Sequence, residues 1–137
     1  MKHVLLLKKV TQQVIIIFFL FCLTYSYAQA QSIIYVDISA SGNNNGTSWS
    51  DAYTDLQDAL SVANTKDTIW VATGTYYPTP TADRTISFQI PDSVAVYGGF
   101  AGSETQRNQR NWEINETILS GDIGVADDST DNSYHVV

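Results

Sequence analysis

A short apolar strand followed by a turn of small residues occurs three times in this chain. That recurrence limits the folds open to it more than any other feature. The copies are Thr68-Ile69-Trp70-Val71-Ala72-Thr73-Gly74, Ser93-Val94-Ala95-Val96-Tyr97-Gly98-Gly99 and Thr117-Ile118-Leu119-Ser120-Gly121-Asp122. Ile69, Val94 and Ile118 stand 25 and 24 residues apart, and a fourth strand starts at Tyr134. A period of this size is the signature of a solenoid, in which each unit covers its apolar face only by stacking on the next. The pattern predicts an all-β solenoid.

Between the copies the chain alternates strands with turn-forming loops. Ile33 to Asp37 reads as a first strand, and Ser39 to Ser48 as a loop with turn formers at nearly every position. Tyr53, Leu56, Leu60 and Ala63 fall at helical spacing, which predicts one amphipathic helix. Ser50 caps it, with Asp51 in its first turn, or Thr54-Asp55-Leu56-Gln57 caps it one turn later. Laid across the open end of the first rung, such a helix would seal the stack. Ile86 to Ile90 alternates and reads as a further strand, and Gly98-Gly99 points to a positive φ or a close backbone approach. In the polar stretch Ala101 to Glu116, Trp112 and Ile114 are expected to pin the loop to the body. The last strand has no cap, so the chain reads as a fragment truncated at its C-terminus.

The N-terminus carries an address. Lys2, Lys8 and Lys9 precede the apolar run Val14 to Leu23, and Ala28-Gln29-Ala30 supplies a small-x-small cleavage pattern. Residues 1–30 therefore read as a secretory signal, and 31–137 as the exported domain. The ten apolar residues are about half of what a membrane span needs. No stable transmembrane span is expected after cleavage, and the protein is expected outside the cell or on its surface. Cys22 lies in the apolar run, so no disulfide is available to the exported domain. The chain's net charge is −7. Loss of the three N-terminal lysines leaves Lys66, Arg84, Arg107 and Arg110 against all fourteen acidic residues. That balance argues against a nucleic-acid partner, which needs clustered cations.

Gly46-Thr47-Ser48-Trp49, Leu56-Gln57-Asp58-Ala59-Leu60, Ile69 to Tyr76, Val96-Tyr97-Gly98-Gly99-Phe100, Ile118 to Asp122 and Asp131 to Val137 follow in that order. The series resembles the N-terminal portion of large secreted bacterial proteins of the pectin-lyase-like superfamily, including Bacteroidetes-type surface proteins. The Gly-Gly element is similar to repeats of chlamydial polymorphic outer-membrane proteins. The resemblance implies a right-handed parallel β-helix, of which these would be the first rungs behind an N-terminal capping helix. It also implies a sorting or anchoring domain in the whole protein. The fold hosts adhesins, stalks, lyases and hydrolases, so it does not decide the function.

Candidate chemistry is sparse. Asp122, Asp127, Asp128 and Asp131 form the densest acidic set, and hard oxygen ligands suit calcium, although their spacing is not that of an EF-hand. Arg107 and Arg110 are the densest basic set. Neither set makes a catalytic constellation, and the solvated loop is the plainer reading. Trp70 and Tyr97 fall on the strand face opposite Ile69 and Val71. They either pack beneath a loop or, with Trp49, Trp112, Tyr76 and Tyr77, offer a stacking surface for sugars. The reading is a non-catalytic, adhesin-like or glycan-binding scaffold whose partner is extracellular polysaccharide or a host or cell-surface glycan. The N-terminal part of a polysaccharide lyase or glycoside hydrolase and a structural stalk without ligand are the alternatives.

Overall fold

A computed structural model of the chain describes residues 31–137, which form one compact unit, and the signal expected over residues 1–30 lies outside them. The elements are β1 (Ile33–Val36), α1 (Leu56–Val62), β2 (Thr68–Ala72), β3 (Gly74–Tyr76), β4 (Ala95–Phe100), a 3₁₀ turn (Arg107–Gln109) and β5 (Thr117–Leu119). They build two short parallel sheets, one ordered β1-β2-β4 and one formed by β3 and β5. Parallel neighbours cannot be joined by a tight hairpin, which is why long loops separate the paired strands.

This arrangement corrects the solenoid. The expected right-handed parallel β-helix requires Ile69, Val94 and Ile118 to lie over one another. Instead Ile69 pairs with Val96. Val94 sits before β4 in a turn, its N–H donating to the Pro91 carbonyl at 3.1 Å. Thr117, Ile118 and Leu119 leave that sheet and pair with Gly74, Thr75 and Tyr76. The even spacing came from a recurring local pattern of strand and turn, and the copies do not stack in register. Two further expected strands do not form. In Ile86 to Ile90, the Phe88 N–H donates to the Val136 carbonyl at 2.8 Å, and near the C-terminus the Tyr134 N–H donates to the Arg84 carbonyl at 2.9 Å. Neither contact extends into a ladder among the described residues.

The helix is likewise not an N-terminal cap. It is seven residues long, and its N-cap is Asp55, whose side chain accepts from the Gln57 N–H at 2.8 Å. Ser50 and Asp51 belong to the preceding loop. Asp51 Oδ1 accepts from both the N–H and the side-chain amide of Asn43, while its carbonyl takes the N–H groups of Asn45 and Gly46. Leu56, Ala59 and Leu60 face inward and join Ile34, Val36, Ile69, Val71, Tyr76 and Phe88 in the main core. The helix therefore packs on the flank of β1 and β2 and lines the core itself.

Every residue of β2 is buried. This is the expected state of a central parallel strand covered on both faces. Ile69 and Val71 enter the main core. On the opposite face, Trp70 stacks on Phe100 with ring centroids 4.7 Å apart and planes 10° apart, and meets the edge of Tyr35 at 5.8 Å. Trp49 closes this second core against Tyr35 at 4.8 Å and Phe100 at 5.5 Å.

β4 carries one more residue than β2 between Tyr97 and Phe100, a bulge opposite Trp70 and Ala72. Gly98 and Gly99 occupy it. Gly99 has φ +91°, and a Cβ there would lie 3.0 Å from the backbone of Trp112. Replacing Gly99 with alanine is expected to cost about 1–3 kcal/mol through backbone strain alone, read as a lower urea midpoint with an unchanged slope.

Candidate functional site: a groove beside β3 and β5

β2 gives way to β3 through the single residue Thr73, whose N–H still reaches back to the Phe100 carbonyl at 2.8 Å. One residue later, the Gly74 N–H donates to the Glu116 carbonyl at 3.0 Å. The chain thus steps from one sheet into the other. β5 runs beside β3, and the residues after each strand emerge at the same end. The Ser120 N–H donates to the Tyr76 carbonyl at 2.9 Å and extends the pairing by one bond. Pro78 and Pro80 then keep the chain after β3 out of any ladder.

A groove of about 530 Å³ lies here, bounded by Thr75, Tyr76, Tyr77, Thr79 and Pro80 on one side and Asp122, Ile123, Gly124 and Ala126 on the other. Ile38, Thr54 and Asp55 complete its wall. No Lys or Arg is among these residues. Tyr77 lines the groove and is 43% exposed. Tyr76 is buried. Its hydroxyl donates to the Ala72 carbonyl at 3.2 Å and accepts from the Ile38 N–H at 3.3 Å. Burial pushes the Tyr76 phenol up to about 12, with the Asp37 charge acting in the same direction and the Ile38 N–H opposing. Tyr76 is thus a neutral wall of the groove.

The carboxylates of the acidic loop serve the loop itself. Asp122 Oδ2 accepts from the Asp127 N–H at 3.1 Å, and the Asn132 amide, oriented with its nitrogen toward Asp122, reaches Oδ1 at 3.2 Å. Asp131 Oδ2 accepts from the Val125 N–H at 2.8 Å. Asp128 Oδ1 takes both the N–H and the hydroxyl of Thr130, which hold its carboxyl below the usual range. Asp127 bends the chain at φ +66°. The four calcium candidates therefore do not converge. Among the described residues, no group of three or more His, Cys, Asp or Glu side chains is placed to hold a metal ion. Of the four, Asp122 alone lines the groove.

The two aromatic candidates separate. Trp70 is 4% exposed in the second core and presents no face to a ligand, so packing beneath a loop is its role. The Trp49 indole N–H, donating to the Glu104 carbonyl at 2.9 Å, ties that loop down. Tyr97 is half-buried beneath Arg107 and Arg110. Trp112 and Ile114, expected to pin their loop, are instead 65% and 77% exposed. Glu104 holds the loop in their place, its carboxylate accepting from the N–H groups of Ala101, Gly102 and Ser103. Burial raises the Glu104 carboxyl, but these backbone donors outweigh it and the net shift is downward.

Reading the sequence missed Asp55 and Thr75 as groove residues. The pairing of β3 with β5 that brings Thr75 near Asp122 joins segments 43 positions apart and leaves no local signal. Comparison with protein-family models, with curated proteins and with solved structures found no match to this chain.

Proposed function

We propose that this is an exported, adhesin-like protein that holds an extracellular or cell-surface glycan without cleaving it, and that the groove is where it does so. One observation carries this reading: an open groove is lined by the exposed Tyr77, by Thr54 and Thr75, and by Asp55 and Asp122. Hydroxyls and carboxylates accept hydrogen bonds from sugar hydroxyls, and an aromatic ring covers the apolar face of a pyranose. With no cation in its lining, the groove suits a neutral sugar. The N-terminal lysines, apolar run and Ala28-Gln29-Ala30 support export. No helix among the described residues is long and apolar enough to cross a membrane.

A glycan array probed with the purified protein tests this. Neutral oligosaccharides are expected to be retained, and Tyr77→Ala is expected to weaken retention about tenfold, or ~1.4 kcal/mol, with an unchanged melting temperature. Absence of any retained neutral glycan, or retention indifferent to both Tyr77→Ala and Asp122→Asn, contradicts the reading.

A further inference from the structure

We propose that Tyr97, Arg107, Arg110 and Trp112 form a second binding site, separate from the groove, for saccharides that carry a carboxylate or a sulfate. The charge distribution is the first reason. Only four basic residues accompany fourteen acidic ones between 31 and 137, and two of the four lie over one ring. The Arg107 guanidinium carbon is 4.7 Å from the Tyr97 centroid, and that of Arg110 is 5.4 Å from it. Arg110 is also 5.4 Å from the Trp112 centroid, so it bridges the two aromatics.

Donor capacity is the second reason. Arg107 donates through Nη1 to the Tyr97 hydroxyl at 2.8 Å, and Arg110 through Nη1 to the Gly98 carbonyl at 3.2 Å. A guanidinium carries five N–H donors in a planar fork that matches a carboxylate or sulfate oxygen pair. Each arginine is thus oriented by one bond and retains donors for a ligand. Among the described residues neither is engaged by a carboxylate. Trp112 lies beside them and is 65% exposed. A sugar ring laid on that indole would bring its anionic substituent toward the two guanidinium groups.

The ridge is also held in advance. Gln109 Oε1 accepts from the N–H groups of both Thr105 and Gln106 at 2.8 Å, closing the turn that carries Arg107. The Asn111 N–H donates to the Gly99 carbonyl at 2.7 Å, fixing the segment between Arg110 and Trp112 on the bulge of β4. Prior fixation lowers the ordering cost of binding. Two cations suit one or two ligand charges and are too few for a nucleic-acid backbone.

The test is affinity electrophoresis of the purified protein in gels containing hyaluronan oligosaccharides (carboxylate only), dextran sulfate (sulfate only) or dextran (neutral). Retardation by at least one charged probe, beyond that by dextran, is expected. Arg107→Gln/Arg110→Gln and, separately, Trp112→Ala should each weaken it at least tenfold, while Tyr77→Ala leaves it unchanged. The probe retained identifies which anion the site takes. Arg107→Gln alone removes an exposed side chain with one bond; it should keep the wild-type melting temperature and still weaken binding, which separates recognition from unfolding. Equal retardation by all three probes, or charged-probe retardation undiminished in these variants, overturns the proposal. Because the groove is read with neutral glycans and Tyr77→Ala, either site can fail without the other.

Discussion

Trp70→Ala is expected to destabilise the protein by about 3–5 kcal/mol, the usual range for emptying a large aromatic from a core. The indole is 4% exposed, stacked on Phe100 and edged by Tyr35, with Trp49 closing the cluster. Partial collapse around the gap would leave the Phe100 and Tyr35 rings without a partner on one side. Small domains have roughly 5–15 kcal/mol in total, so this one change removes a large share. Urea unfolding followed by far-ultraviolet circular dichroism reads the loss as a lower midpoint. Had Trp70 been a surface platform for sugars, the same substitution would leave the midpoint nearly unmoved and abolish binding. The experiment therefore separates the two roles that alternation along β2 left open.

Asp67→Ala is expected to cost about 2–3 kcal/mol near neutral pH. Asp67 is a buried carboxylate just before β2. Its Oδ1 accepts from the Ser32 N–H at 3.1 Å and the Ser32 hydroxyl at 2.8 Å, and its Oδ2 from the Asn64 N–H at 2.9 Å. One side chain thus joins the start of β1 to the segment that follows α1. Removal strands these donors, and hydrogen bonds to a charged group are worth more than neutral ones. The Asn64 backbone donor is the largest influence on the Asp67 carboxyl. With the Ser32 donors it outweighs the opposing effect of burial and holds the carboxyl below its ordinary 3.8. A depressed folded-state pKa stabilises the native protein above the unfolded value near 4. That contribution is lost as pH falls through the folded value. The native protein should lose stability below about pH 4, and Asp67→Asn should show a shallower acid fall. The fall should not vanish, since Thr85 and Thr130 hold the Asp83 and Asp128 carboxyls down in the same way. An acid limb of unchanged steepness in Asp67→Asn would show that Asp67 does not carry this linkage.

Local chemistry was legible in the sequence where it acts locally. The turn-rich loop from Ser39 to Ser48, the strands at Ile33 and Thr68, the inward Leu56 and Leu60 and the positive φ at Gly99 all follow from neighbours a few positions away. Pairing over long separations was not. Thr117-Ile118-Leu119 has the same apolar strand and turn pattern as Thr68 to Ala72, so periodicity placed it in the same stack. What decides its partner is the step at Thr73 and Gly74, which opens a new edge at β3. The site inherits this. Tyr77 and Asp122 were each visible as an aromatic and an acid, but their meeting across one groove depends on β3 finding β5. For Trp112 the error was simpler: hydrophobicity suggested an anchor, while Glu104 and its backbone donors hold the loop and leave the indole exposed.

Backbone nuclear Overhauser contacts of Ile118 in isotopically labelled protein test the link from fold to site most directly. The account expects contacts to Thr75 and its neighbours in a parallel pattern, with Leu119 beside Tyr76. Parallel contacts from Ile118 to Val94 or Val96 instead would return β5 to the first sheet, separate Tyr77 from Asp122 and contradict the groove.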